Sequence, residues 1–121
     1  MAGIVAMFTG CYNDKYSDLY PPVVNPCDTT TITYSNDIKP IIATGFFSPR
    51  NGCHDAVGGA SSGYDFETNI GPLQAVAANG KLLGSVHWDP GFSQMPKNAP
   101  KLSDCEINKI ERWVHLGAPN N

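Results

Sequence analysis

The sequence predicts a small, mainly α-helical domain of three to four short helices joined by long loops. Three observations predict it. Twelve Gly and ten Pro in 121 residues interrupt the chain too often for a large regular sheet or bundle. One segment, Ser103 to Pro119, carries a complete set of helix start and stop signals. With 41% hydrophobic and 16% charged residues, the chain can bury one small core and not two. A formal net charge of −3 and a pI near 5.4 leave no basic footprint, which argues against nucleic acid as a partner.

Residues 1–11 form an uncharged apolar run ending in Phe8-Thr9-Gly10-Cys11. It is shorter than the roughly 20 apolar residues that span a bilayer. It resembles the last part of a bacterial lipoprotein signal, which is cut before a cysteine that then carries lipid, although the basic region that opens such a signal is absent. On this reading Cys11 is lipidated and the protein is exported, periplasmic or at the cell surface, with a membrane tether. An ordinary first strand or helix is the alternative. Residues 12–28 are polar, hold three prolines and show no period, as expected of an extended arm or tether. The domain then covers residues 29–121.

Thr30 to Tyr34 is short and β-prone, and Ser35 or Asp37 can cap a helix that puts Ile38, Ile41 and Ile42 on one face. Pro40 suits its first turn, and Gly45 is expected to stop it. Phe46 to Gly63 is expected to be a loop containing the pair Cys53-His54. A second helix should start near Gly71-Pro72, turn Leu73, Val76 and Ala77 inward, and end at Asn79-Gly80 with a left-handed residue. Lys81 to Lys101 reads as irregular, with Gly84, Pro90, Gly91, Pro96 and Pro100. About twenty residues of loop is abnormal in so small a domain unless the loop packs on something, and a prosthetic group could complete the core. The last helix has Ser103 as N-cap with Glu106 three residues on. Ile107, Ile110, Trp113 and Val114 form its inward face, His115 lies in its last turn, and Gly117 and Pro119 end it.

The order of these features carries the chemistry: an apolar helix leading to "CHD", a "NGKLLGSV" segment, then "GFSQMPKNAPKLSDCEINKIERWVHLGAPNN". With "YSNDIKPII" at the start, this order resembles a monohaem class I cytochrome c domain of the small bacterial secreted or lipid-anchored kind, from about Thr29 to the C-terminus. The resemblance implies one haem c, with Cys53 as thioether, His54 as proximal iron ligand and Met95 as the sixth ligand. A thioether is a soft donor that favours ferrous iron, and Pro96 would stiffen its loop. Phe46, Phe47, Leu82, Leu83, Trp88, Phe92 and Trp113 are then candidates for the pocket, though the aromatic ones are as simply read as plain packing. His87 is the alternative sixth ligand. Both axial positions filled implies an electron carrier rather than an enzyme, a peroxidase with an open position being the minor alternative. Its partners would be redox proteins, with this chain a monomer or a subunit of a redox complex.

The pattern departs from the family at one place. The attachment signal is C-x-x-C-H, sometimes with more residues between the cysteines, and here Arg50 or Ser48 stands where the first cysteine belongs. That departure supports a second reading, a haem-free module of the same fold used for binding or structure. The resemblance also implies a disulfide between Cys27 and Cys105, because those two ends of a class I cytochrome fold cross, and hence an oxidising compartment. Two other chemistries find little in the sequence. No C-x-x-C pair or second ligand pair supports zinc at Cys53 and His54, and no Gly-x-Ser-x-Gly elbow supports a hydrolase.

Overall fold

Thr33 opens the first helical stretch. The structure, a computed structural model, describes residues 27–46, 53–56 and 62–121. Thr33 lies in extended backbone and its Oγ1 accepts from Asn36 N–H at 3.3 Å, while Asp37 Oδ2 accepts from Thr33 N–H at 3.0 Å. The cap is therefore two residues earlier than Ser35, and Asp37 is its return acceptor. Asp37 N–H and Ile38 N–H both donate to Thr33 O, which widens the first turn, Tyr34–Ile38, to a π-helical one. It continues directly into α1, Lys39–Phe46. Ile38, Ile41 and Ile42 are buried on one face as expected. Gly45 does not stop this helix. A Cβ there would lie 3.4 Å from Leu102 and from Pro96, so the glycine permits close approach of the later loop.

The β-prone Thr30–Tyr34 stretch forms no strand, and none occurs among the described residues. Its apolar members, Ile32 and Tyr34, enter the core instead.

Asn69 caps α2, Ile70–Ala78, by accepting from Gly71 N–H at 2.9 Å, and Leu73, Val76 and Ala77 are buried. Gly80 follows in the left-handed region at φ +79°. The expectation of an irregular Lys81–Lys101 fails over its first seven residues, which form α3, Lys81–His87. The left-handed Gly80 reverses the chain and its carbonyl accepts from Gly84 N–H at 3.1 Å, so a new helix starts at once. Leu82 and Val86, four residues apart, anchor it in the core. Trp88, itself at φ +65°, ends it.

α4, Asp104–His115, has the full capping box: Glu106 N–H donates to Ser103 Oγ at 3.3 Å and Ser103 N–H donates to Glu106 Oε2 at 2.8 Å. Ile107, Ile110 and Trp113 are buried, Val114 only partly, and Gly117 closes the end at φ +87°. Trp113 is completely buried, 5.9 Å from the Tyr34 ring, with its Nε1–H donating to Pro119 O at 2.9 Å.

Three contacts tie α4 and the C-terminal residues to the start of the domain. A disulfide joins Cys27 to Cys105, 78 residues apart, with Cα atoms 5.1 Å from each other. Lys109 Nζ meets Asp37 Oδ1 at 3.2 Å. Asn121 Oδ1 accepts from Tyr34 N–H at 2.8 Å and Asn121 O from Ser35 N–H at 2.9 Å. The Thr33 N–H bond, and after it the Lys109 ammonium, hold the Asp37 carboxyl below its usual range against the opposing effect of burial. Among the described residues no helix is long and apolar enough to cross a membrane. Cys11 with residues 1–26, and Phe47, Ser48 and Arg50, lie outside the described residues.

Candidate functional site

Between α1, α2, α3 and the loop that follows α3 lies a cavity of about 370 Å³. Its walls are mostly apolar and aromatic: Phe46 from α1, Tyr64 and Phe66 from the segment before α2, Val76 from α2, Leu82 from α3, and Phe92 from the loop. His54 and Met95 both line it.

His54 is 6% exposed and is the one buried polar side chain among the described residues. Its place is set by one main-chain bond and one bond to a side chain, spanning twelve and eleven positions. Phe66 N–H donates to His54 O at 2.9 Å, and Ala56 N–H donates to Glu67 Oε2 at 2.9 Å. Its ring stacks on Phe66 with centroids 4.7 Å apart and planes 13° apart, and Phe46 meets it edge-on at 6.0 Å. Nδ1 is 3.1 Å from Tyr64 O, an acceptor only, so the ring proton sits on Nδ1 and Nε2 keeps its lone pair. Burial pushes the imidazole below its usual pKa, and the Tyr64 carbonyl and Asp55 oppose that shift. The outcome is a neutral imidazole of fixed tautomer, the form that ligates metals. Cys53, half-buried, precedes it.

Met95 is held by both of its main-chain groups. Its N–H donates to Ser85 O at 3.1 Å, and its carbonyl accepts from Trp88 Nε1–H at 2.9 Å. The end of α3 thus fixes the backbone, while the thioether side chain is partly buried against the core. The Met95-Pro96 peptide is cis.

The other expected pocket residues divide. Phe46, Leu82 and Phe92 line the cavity. Leu83 packs on the core outside it. Trp88 lines a neighbouring cleft with Gln94 and Pro96, and its indole bonds the Met95 carbonyl. Trp113 does not face the cavity either; it is spent on the helical core and on Pro119. His87 is not among the residues lining the cavity; its Nε2 lies 2.8 Å from Glu111 Oε1, an α3–α4 contact. Tyr64 and Phe66 were missed. Their i, i+2 spacing in Gly63-Tyr64-Asp65-Phe66 was the available signal, since an extended segment puts alternate side chains on one side.

Chemically, the described lining offers an imidazole and a thioether in mostly aromatic and apolar surroundings, with Lys81, Ser85 and Ser93 also lining it. Among the described residues no three His, Cys, Asp or Glu side chains gather as a metal-holding group. No protein-family model, no curated protein and no solved structure matches this chain.

Proposed function

We propose that this protein is an electron carrier holding one covalently attached haem c in the aromatic cavity, with His54 and Met95 as axial ligands and Cys53 as the single thioether. The observation that carries the reading is the convergence of His54 and Met95, 41 positions apart in sequence, on one cavity with aromatic walls. A macrocycle needs two protein donors, since its own nitrogens fill the remaining positions, and an imidazole and a thioether suit iron. The haem supplies a one-electron couple.

The chain's own residues supply the setting. The Tyr64 carbonyl holds the His54 proton on Nδ1 and so keeps Nε2 available to iron. Ser85 and Trp88 hold the Met95 backbone, which limits how far the thioether can withdraw. Phe46 and Phe66 pack against the imidazole and exclude water, which favours the less charged ferrous state. With His54 and Met95 both holding the iron, no position would be left for a substrate, and electron transfer would be the activity. The disulfide Cys27–Cys105 supports an oxidising compartment, in keeping with export and a tether through Cys11. The acidic net charge favours redox partners with basic docking patches and salt-sensitive association.

The test is the absorption spectrum and intact mass of the protein expressed with cytochrome maturation factors. A Soret band and a haem mass adduct that survives denaturation are expected. Met95→Ala should then remove the far-red band of Met-to-ferric-iron ligation, and a surviving band would move the sixth ligand elsewhere. A second reading, a haem-free binding module, is favoured by one observation: Arg50 and Ser48 cannot form the second thioether. A wild-type protein without Soret band or adduct would establish it over the first.

A further inference from the structure

Phe92 is 42% exposed, one of two large apolar side chains left so among the described residues, yet it also lines the cavity. It belongs to a short excursion of chain with both ends fastened to α3. Asp89 N–H donates to Gly84 O at 2.9 Å, and Met95 N–H donates to Ser85 O at 3.1 Å. Within the excursion, Phe92 N–H donates to Asp89 O at 3.2 Å, and Gly91 turns the chain at φ +90°. The ring comes down on the buried backbone of Gly84. A Cβ at that position would lie 2.5 to 2.6 Å from three carbons of the ring, a distance at which one of the two must move. Glycine is a poor helix-interior residue, and here its missing side chain is the space the ring occupies.

We propose that Phe92 is the cover of the cavity and Gly84 its seat, so that residue 84 sets how readily water and small solutes reach Met95. The inference rests on the reading of this cavity as the protein's site, and not on what fills it. A cover that depends on one absent methyl group is either seated or displaced, so substitution at position 84 acts on a part of the site it does not touch.

The test uses the full-length chain as purified, in wild type, Phe92→Ala, Gly84→Ala and the double variant. Access is read as the rate of Met95 sulfoxide formation by hydrogen peroxide, followed by peptide mass spectrometry with free methionine as reference. Both single variants should oxidise several-fold faster than wild type, and the double variant no faster than Phe92→Ala. Thermal unfolding supplies the second readout. Gly84→Ala should lower the midpoint when Phe92 is present and raise it in the Phe92→Ala background, where only helix propensity remains. Unchanged oxidation in Phe92→Ala, read on chain expressed without maturation factors so that no iron holds the thioether, or a Gly84→Ala shift of the same sign in both backgrounds, would overturn the proposal. Should Gly84→Ala not fold, Phe92→Ala carries the access measurement, and the double variant must recover folding if the clash is with the ring. A missing Soret band in wild type overturns the haem reading alone, since neither readout here needs haem.

Discussion

Removing the Cys27–Cys105 link, as the Cys27→Ser/Cys105→Ser pair, should cost about as much stability as the largest single core truncations. The loop it closes spans 78 residues. In the chain-entropy treatment a cross-link of that span removes about 15 cal/mol/K from the unfolded ensemble, or about 4.5 kcal/mol at room temperature. Other contacts decide where the loss is felt. Residues 27–31 lie next to the link, with the bonds of Thr30 to Asp28 local to them, so the loss should be felt first in that segment. From Ile32 onward the chain is anchored by burial, the Thr33 cap and the Asp37–Lys109 pair, so the fold should persist. Domains of this size have roughly 5–15 kcal/mol in total, so the variant is expected to be folded at room temperature and marginal when warm. Urea unfolding should show a lower midpoint and a steeper slope, since the unlinked unfolded chain exposes more surface. The thermal midpoint should fall on the order of 15 to 20 °C. A loss below about 1 kcal/mol with an unchanged slope would refute the reasoning, because it would mean the unlinked unfolded chain is already closed on itself.

Three further outcomes follow from named contacts. In the ligand-free chain, His54 binds a proton less tightly folded than unfolded, because burial lowers its pKa from 6.5. The stability it contributes is present above pH 6.5 and is lost as the pH falls below it toward the folded value; urea midpoints at pH 7.5 and 5.5 should differ more for wild type than for His54→Phe, and equal slopes would contradict the assignment. Trp113→Phe leaves Pro119 O without its donor and opens space in the most buried part of the core, for a loss of about 2 to 3 kcal/mol in urea unfolding. Ser103→Ala removes one half of the capping box and should cost about 1 kcal/mol, measured the same way, with loss of helical circular dichroism confined to heating.

Several parts of the fold were legible because their causes are local. The Ser103–Glu106 box, the Gly117 end, the buried Ile38-Ile41-Ile42 face and the Asn79-Gly80 reversal each depend on residues within about one helical turn, where spacing and side-chain chemistry suffice. The mistakes were also local in origin. Gly45 and Gly84 were read as breakers, because glycine weakens an isolated helix. In the folded chain the first gives room to Leu102 and Pro96, and the second to Phe92. Thr33 displaced Ser35 as cap because the widened π turn gathers two N–H groups on the Thr33 carbonyl.

By itself, then, the sequence determined the helical class and the clearest helix with its caps, since both follow from residue type and short-range spacing, while the candidates His54 and Met95 came from the resemblance in the order of its motifs. Only the tertiary structure decided which of the candidates share a cavity. It brought His54 and Met95 together and added Tyr64 and Phe66. It sent Trp113 to the core and His87 to Glu111. Those assignments depend on which helix faces pack against one another across tens of residues, and the competition of an aromatic or imidazole ring for one burial site or another is settled only when all the faces are in place.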